Sequence, residues 1–293
     1  MQRDSDRPAL TVSVAAGKGG TGKTLLSTSL AYALAELHPG AVQLLDADVE
    51  EPNADLVLPV QFTGTEPVEL LVPRVDLEKC VRCGKCAEVC AASAIARIRQ
   101  AVITFHELCT GCGACAWICP VDAITEIPRV IGRVDTGTAE GGIEFVQGRS
   151  EVAQQHTGAV TGAVKAHAKP DCITIIDAPP GTACPMQETV AESDYCILVT
   201  EPTPFGLSDL GAAVETCRAL SVPCGVVVNR DGVGDAGVDE YCRRSGIPIL
   251  LRIPHDREIA RAYSRGRTLA LEFPDWRPAL AGLFDSVARE VAR

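Results

Sequence analysis

Two cysteine runs stand in the middle of the chain, Cys80-x-x-Cys83-x-x-Cys86-x-x-x-Cys90 and Cys109-x-x-Cys112-x-x-Cys115-x-x-x-Cys119, the second followed by Pro120. Cysteines this close on a tight loop bring several thiolates to one place, which suits a metal and makes a poor disulfide network. The x-x, x-x, x-x-x spacing, written twice, is that of thiolates capping [4Fe–4S] cubanes. Zinc, which C-x-x-C pairs also bind, is the alternative. Gly84, Gly111 and Gly113 keep the loops compact, and Ile95 and Ile124 are placed to shield a cluster from water. A second stretch points to phosphate chemistry: Gly17-Lys18-Gly19-Gly20-Thr21-Gly22-Lys23-Thr24. Its glycines let the backbone wrap round phosphate oxygens, Lys23 neutralises the β and γ phosphates, and the Thr24 hydroxyl ligates Mg²⁺.

Both stretches need a scaffold. Leu10 to Ala15 is a β-branched run that breaks at Gly17, Lys23 to Leu37 is apolar at helical spacing, and Val42 to Leu45 reads as a second strand ending at Asp46. Together they form a β-loop-α-β unit that opens a parallel, doubly wound sheet. Short apolar runs resume after residue 157, at Ile173–Ile176, Tyr195–Thr200, Gly225–Asn229 and Ile249–Ile253, separated by helical stretches such as Leu207–Ala219 and Asp239–Ser245. Between these halves lies an internal repeat. Glu78-Lys-Cys80…Cys90…Ala94-Ile95 recurs as Glu107-Leu-Cys109…Cys119…Ala123-Ile124, flanked by Pro73 and Pro128. The expected organisation is an α/β P-loop domain in two parts, 1–74 and 129–293, interrupted by a small α+β insert at 75–128 that needs a metal staple. Arg129–Val134 and Gly142–Val146 read as a hairpin leading back to the main domain.

The string G-K-G-G-x-G-K-T resembles the deviant Walker A motif of the MinD, ParA, Mrp and nitrogenase-reductase superfamily, and the cysteine runs resemble a bacterial-type ferredoxin with two [4Fe–4S] clusters. The first resemblance implies ATP/ADP and Mg²⁺ as ligands and a homodimer formed on ATP binding. In it Lys18 reaches the partner's nucleotide and stabilises the transferring phosphoryl group. It places switch I carboxylates at Asp46 and Asp48, with Asp48 orienting or deprotonating the attacking water and Asp46 near Mg²⁺. Family branches differ over which of the two is the base. It also gives Asp177-Ala-Pro-Pro-Gly181 the role of switch II, with Asp177 holding Mg²⁺ through water and the Gly181 N–H facing the γ-phosphate. Asn229, Pro254 and Asp256 fall where the family binds adenine. The second resemblance assigns Cys80, Cys83, Cys86 and Cys119 to one cluster and Cys109, Cys112, Cys115 and Cys90 to the other, the fourth cysteine of each run beginning a helix.

Other features bound the function. The 293 residues carry a net charge of −11, which argues against nucleic acid as a partner. No apolar stretch is long enough for a membrane span, and Met1–Pro8 lacks the apolar core of a secretory signal. With metal-bound thiolates, a reducing cytoplasmic location is expected. Cys172, Cys196, Cys217, Cys224 and Cys242 read as small core residues. Cys184, seven residues past Asp177, is a candidate thiol near the dimer axis; neither a second cysteine at 145–158 nor a late C-x-x-C accompanies it. Pro278–Val291 forms an amphipathic helix whose Asp285 and Glu290 favour packing over membrane attachment. The leading reading is a nucleotide-gated electron donor to a redox partner. The alternatives are an ATPase that delivers clusters to an acceptor protein and a positioning ATPase with structural clusters.

Overall fold

The computed structural model describes residues 9–99, 101–152 and 157–292. The leader reading rests on Met1–Pro8, which lie outside the described residues. Among the described residues there are eleven strands: β1 (Thr11–Ala15), β2 (Val42–Asp46), β3 (Val60–Val75), β4 (Ile95–Ile98), β5 (Ala101–Thr104), β6 (Ile124–Ala139), β7 (Ile143–Ser150), β8 (Ile173–Asp177), β9 (Tyr195–Thr200), β10 (Cys224–Asp231) and β11 (Ile249–Pro254). Nine form one sheet in the order β11-β10-β9-β1-β8-β2-β7-β6-β3. Neighbours from β11 to β7 run parallel, and β6 and β3 are added antiparallel. The expected doubly wound core and the β6–β7 hairpin are both present.

Both faces of the central strands are buried, so side chains alternate between two cores. Tyr195, Ile197 and Val199 of β9 join Val12 and Val14 beneath the helices Lys23–Leu37 and Arg277–Val291. Cys196 and Leu198 point the other way, into a core with Met186, Leu210, Val214, Cys217 and Cys242 from the helices Cys184–Val190, Pro204–Ala219 and Gly237–Ser245. The C-terminal helix packs as expected: Leu280, Leu283, Phe284 and Val287 are buried, and the Tyr195 hydroxyl donates to Glu290 Oε2 at 2.9 Å. No described helix is long and apolar enough to cross a membrane. Of the scattered cysteines, Cys196, Cys217 and Cys242 are buried, Cys172 and Cys224 half-buried, and Cys184 exposed.

One element was not legible in advance. Residues 60–75 show no clean alternation, yet they form a long edge strand whose partner, β6, lies across the whole cysteine segment. Its prolines, Pro67 and Pro73, suit an edge, where one side of the ladder needs no N–H. The root of this β3/β6 ribbon is held in the sheet by β7, which pairs with Gly132–Ala139. Beyond that point the ribbon is two-stranded, and the register shifts between Val68 and Glu69, opposite Gly132 and Val130. The extra residue, Ile131, is fully buried in the core of β2, β7 and the helix Gly158–Lys165, so the bulge is anchored where the ribbon leaves the sheet.

The cysteine segment sits at the ribbon tip, between Val75 and Ile124. It holds the β4/β5 hairpin and two short helices, Lys85–Val89 and Ala114–Trp117. The expectation that each fourth cysteine begins a helix is corrected. The helices start after left-handed Gly84 and Gly113, so they carry the third cysteines, Cys86 and Cys115. Cys90 instead ends its helix, and Cys119 lies beyond Trp117. The two cysteine loops also share a left-handed residue, Arg82 (φ 56°) in the first and Gly111 (φ 71°) in the second. A Cβ in the second would stand 2.5 Å from Leu70 Cδ1, so a larger residue there would have to displace that side chain. A non-glycine residue in this conformation costs about 1–2 kcal/mol, and Arg82 bears that cost in the first.

Candidate functional site

At the carboxyl edge of the parallel strands, the loops after β1, β2, β8, β9, β10 and β11 surround a cleft of about 530 Å³. Ligands of open parallel sheets bind at this edge. Gly22, at φ 100°, caps the helix Lys23–Leu37 and turns the loop onto it. A Cβ on Gly22 would lie 2.3 Å from Asn229 Nδ2, so only glycine fits. The helix has no acidic residue in its first turn, leaving its free N–H groups for an anion. Lys23 is buried (7% exposed) at that helix start.

Of the residues singled out in the sequence, Gly19, Gly20, Gly22, Lys23, Thr24, Asp48, Asn229, Pro254 and Asp256 line the cleft. Gly17, Lys18, Thr21, Asp46, Asp177 and Gly181 stand behind its walls. Lys18 turns sideways to Glu201, Nζ to Oε2 3.8 Å. The Gly181 N–H, expected to face a phosphate, donates to the Ala16 carbonyl at 3.0 Å. Asn229 donates to the Thr21 carbonyl (2.7 Å) while its Oδ1 accepts from the Arg230 N–H (2.9 Å), so the amide expected at adenine braces the P-loop. Asp256 accepts from Glu258 N (2.7 Å), capping the helix Arg257–Ser264.

The carboxylates are unusually crowded. Asp46 is fully buried, and its oxygens accept from the backbone N–H groups of Asp48 (3.2 Å), Asn53 (3.0 Å) and Ala54 (3.0 Å). It therefore holds the shape of the loop after β2. Burial and then the Asp177 charge push its pKa up to about 7. Burial, followed by the Asp46 charge, raises Asp48 to about 6 against the pull of Lys23. Asp177 rises to about 6, again chiefly through burial, with the Thr24 and Ser27 hydroxyls and Lys23 near enough to oppose the shift. Neither Asp177 oxygen has a well-formed hydrogen bond, and Thr21 Oγ1 is buried without a partner as well. Orphaned buried oxygens beside a buried lysine fit a site completed by a phosphate and its cation. Thr24 and Asp177 are the groups that would hold Mg²⁺ there, and the ion would neutralise phosphate charge.

These raised pKa values set a sign for stability. The folded carboxyls keep protons that the unfolded chain, with an ordinary pKa of 3.8, has already released. Their contribution is thus fully present below about pH 4 and is lost as pH rises through the folded values of 6 to 7. Asp177→Asn should raise the stability of the nucleotide-free chain at pH 7.5 by about 2 kcal/mol and flatten its decline across this window. Calorimetry against pH checks it; a lower melting temperature at pH 7.5 would contradict the crowded-charge account.

Three cleft residues had no motif to announce them. Glu201, directly after β9, is 8% exposed and pairs with Arg230 (2.6 Å) as well as facing Lys18. Arg230 lines the same wall, and Tyr263 closes the cleft from the helix Arg257–Ser264. Their one advance signal is position, since Glu201 follows β9 and Arg230 lies at the carboxyl end of β10, on the ligand-binding edge.

The cysteine loops form a second centre. Cys80, Cys83, Cys86 and Cys119 line one cavity. Cys90 packs with Cys109. The thiols of Cys109 and Cys112 lie near enough to Cys115 to act on it electrostatically, although Cys115 also packs on the Cys86 side. Backbone N–H groups donate to sulfur: Ala94 to Cys90 (3.2 Å), Ala123 to Cys119 (3.2 Å) and Gly111 to Cys109 (3.4 Å). Ile95 and Ile124 are buried against Cys86, as expected. Among the described residues no three His, Cys, Asp or Glu side chains converge on a point suited to one metal ion. All-cysteine donors spread round a cavity, with N–H groups aimed at sulfur, fit a multi-iron cluster better than a single zinc. Cys184 lies in a groove shared with Leu70, Gly158 and Thr110 of the second cysteine loop.

A P-loop at the carboxyl edge of a parallel, doubly wound sheet defines a nucleotide-binding domain. Residues 12–269 match the family model of the CobQ/CobB/MinD/ParA nucleotide binding domain, and the chain belongs to this family. An uncharacterized protein of Methanocaldococcus jannaschii is 30% identical over 274 residues, 91% of this chain and 93% of that protein. An iron-sulfur cluster carrier protein of Pyrococcus abyssi is 24% identical over 276 residues, 89% of this chain and 79% of that one. The cell division ATPase MinD of Pyrococcus furiosus shares the fold, with a TM-score of 0.59 at 19% identity over 96% of this chain and 99% of that chain.

Proposed function

We propose that this chain is a cytoplasmic ATP-binding and ATP-hydrolysing switch, dimeric with ATP bound, whose nucleotide state gates electron transfer from an inserted two-cluster ferredoxin module to a partner protein. In this reading Lys18, Lys23 and Asp48 carry hydrolysis, and Thr24 and Asp177 hold Mg²⁺. Cys80, Cys83, Cys86 and Cys119 hold one [4Fe–4S] cluster, and Cys109, Cys112, Cys115 and Cys90 the other. Such clusters would supply one-electron chemistry when bound. In this reading the module is the segment expected at 75–128, whose first residue, Val75, and last residues, Ile124–Pro128, pair in the ribbon.

The observation that carries the reading is continuity. Asp48, Glu51 and Asn53 line the nucleotide cleft, Asp46 ties this loop down, and the chain then passes through the short helix Ala54–Val57 directly into β3. Rearrangement of the loop around a γ-phosphate acts on the root of the ribbon that carries the cysteines. The test is the reduction potential of the clusters with ADP and with a non-hydrolysable ATP analogue. A nucleotide-dependent potential or electron-transfer rate is expected; identical values in both states would defeat the gating.

The likeness to the Pyrococcus abyssi carrier favours a second reading, in which the ATPase delivers clusters to an acceptor. Nucleotide-dependent loss of iron to an added apo-protein, with potentials unmoved by ATP, would select it.

A further inference from the structure

We propose that the outer face of the first cysteine loop is a docking surface for an acidic electron-carrier protein, with Arg82 and Lys85 as its recognition residues. The inference rests on the cluster reading above. The cavity of Cys80, Cys83, Cys86 and Cys119 is rimmed by Val81, Arg82, Lys85 and Val121, all exposed, and Cys83 itself is exposed. Val81 is 61% exposed, so an apolar side chain stands in water beside the thiols. Lys79 is engaged by Asp76 at 3.8 Å, whereas Arg82 and Lys85 make no ion pair among the described residues.

The two loops differ in a way their shared chemistry does not require. Residues 79–86 contain Lys79, Arg82 and Lys85 and no acid, whereas residues 108–116 carry no charge at all. The second loop turns inward: Gly111 lies under Leu70, and Thr110 shares a groove with Cys184. Cys112 is exposed too, but nothing charged surrounds it in its own loop. At the equivalent left-handed position the inward loop has Gly111 and the outward loop has Arg82. Glycine would relieve that backbone, so replacing Arg82 by glycine removes its side chain without straining the fold.

The charged residues that line this cavity are Arg82 and Lys85, both cationic. A compact carrier with carboxylates round its redox centre meets complementary charge there. The apolar rim supplies the desolvated centre that a transient interface needs.

The test uses the full chain, its iron content measured first, titrated with an acidic flavodoxin and, as a control of opposite charge, a basic cytochrome c. The flavodoxin is expected to bind at low ionic strength and to weaken as salt is added. Reversing both charges, Arg82→Glu with Lys85→Glu, should weaken binding about tenfold or more. Arg82→Gly should weaken it several-fold while leaving the melting temperature equal or higher, an outcome a structural role for Arg82 would not give. Absence of flavodoxin binding, equal binding of cytochrome c, or unchanged affinity in the charge-reversed chain would each overturn the proposal. So would self-association abolished by Arg82→Gly, which would make a second copy the occupant. A shortfall in iron defeats the cluster reading by itself and is seen before any binding is measured.

Discussion

Lys18→Ala should abolish ATP hydrolysis, by a factor of about 10³ or more, while nucleotide affinity changes only a few-fold. The asymmetry follows from where the side chain lies. Lys18 does not line the cleft of its own chain; it turns to Glu201, 3.8 Å away. Removing it takes nothing from a nucleotide bound in the same chain, but it removes a cation that can be offered to a facing one. Lys23 is the opposite case: buried at the helix N-terminus and lining the cleft, its loss should weaken binding itself. Fluorescent-nucleotide titration and single-turnover assays separate the two. Mixing is more decisive. A chain carrying Lys18→Ala, combined with one carrying Lys23→Ala, should regain partial turnover, because the second donates its Lys18 to the first chain's nucleotide. Mixed dimers that form without recovery would rule out a trans role.

Anaerobically purified chain should contain about eight irons and eight sulfides, and Cys86→Ser should remove about half of both. The segment at the ribbon tip has little else to hold it. Its apolar centre is two small clusters, one of Val72, Ala94 and Cys109 and the other of Cys86, Ile95 and Ile124. A centre of that size does not fold a segment this short without a staple. Iron removal should therefore abolish hydrogen-exchange protection across β4 and β5 and spare β1, β8 and β9, whose strands are buried in the large core. Stoichiometric zinc, or far fewer than eight irons, would refute the assignment. Burial raises the Cys115 thiol to about 11 and the Cys86 thiol in the same direction, so cluster binding should also release protons near neutral pH.

The nucleotide-binding half of the fold was legible because each of its signals is local. The helix Lys23–Leu37 and the strand Tyr195–Thr200 run as the periodicity predicts, and Gly22, Lys23 and Thr24 meet at the cleft because one strand–loop–helix unit fixes them. What resisted reading depends on distant pairing. β3 lacks alternation because much of it is a solvated edge, and its partner lies beyond both cysteine runs. Asn229 lines the cleft, but its bond to the Thr21 carbonyl joins residues far apart in sequence. Glu201 is an ordinary acid until folding brings Lys18 and Arg230 to it. The short helices begin ahead of the third cysteines because the left-handed backbones of Gly84 and Gly113, not the ligand spacing, set where they start.

The buried bulge at Ile131 gives the ribbon a mechanical character. Inward of it, three strands resist bending; outward, seven rungs from Glu69–Val130 to Val75–Ile124 stand as a pair. Seven rungs span about 20 Å. A tilt of roughly 10° at the bulge would swing the far end by about 3.5 Å over that length. If the cysteine segment passes electrons as proposed, tunnelling rates that fall exponentially with distance would let a small rotation at this fulcrum become an on–off difference at the tip. The nucleotide site then needs to do no redox chemistry of its own; it needs only to lean on the short end.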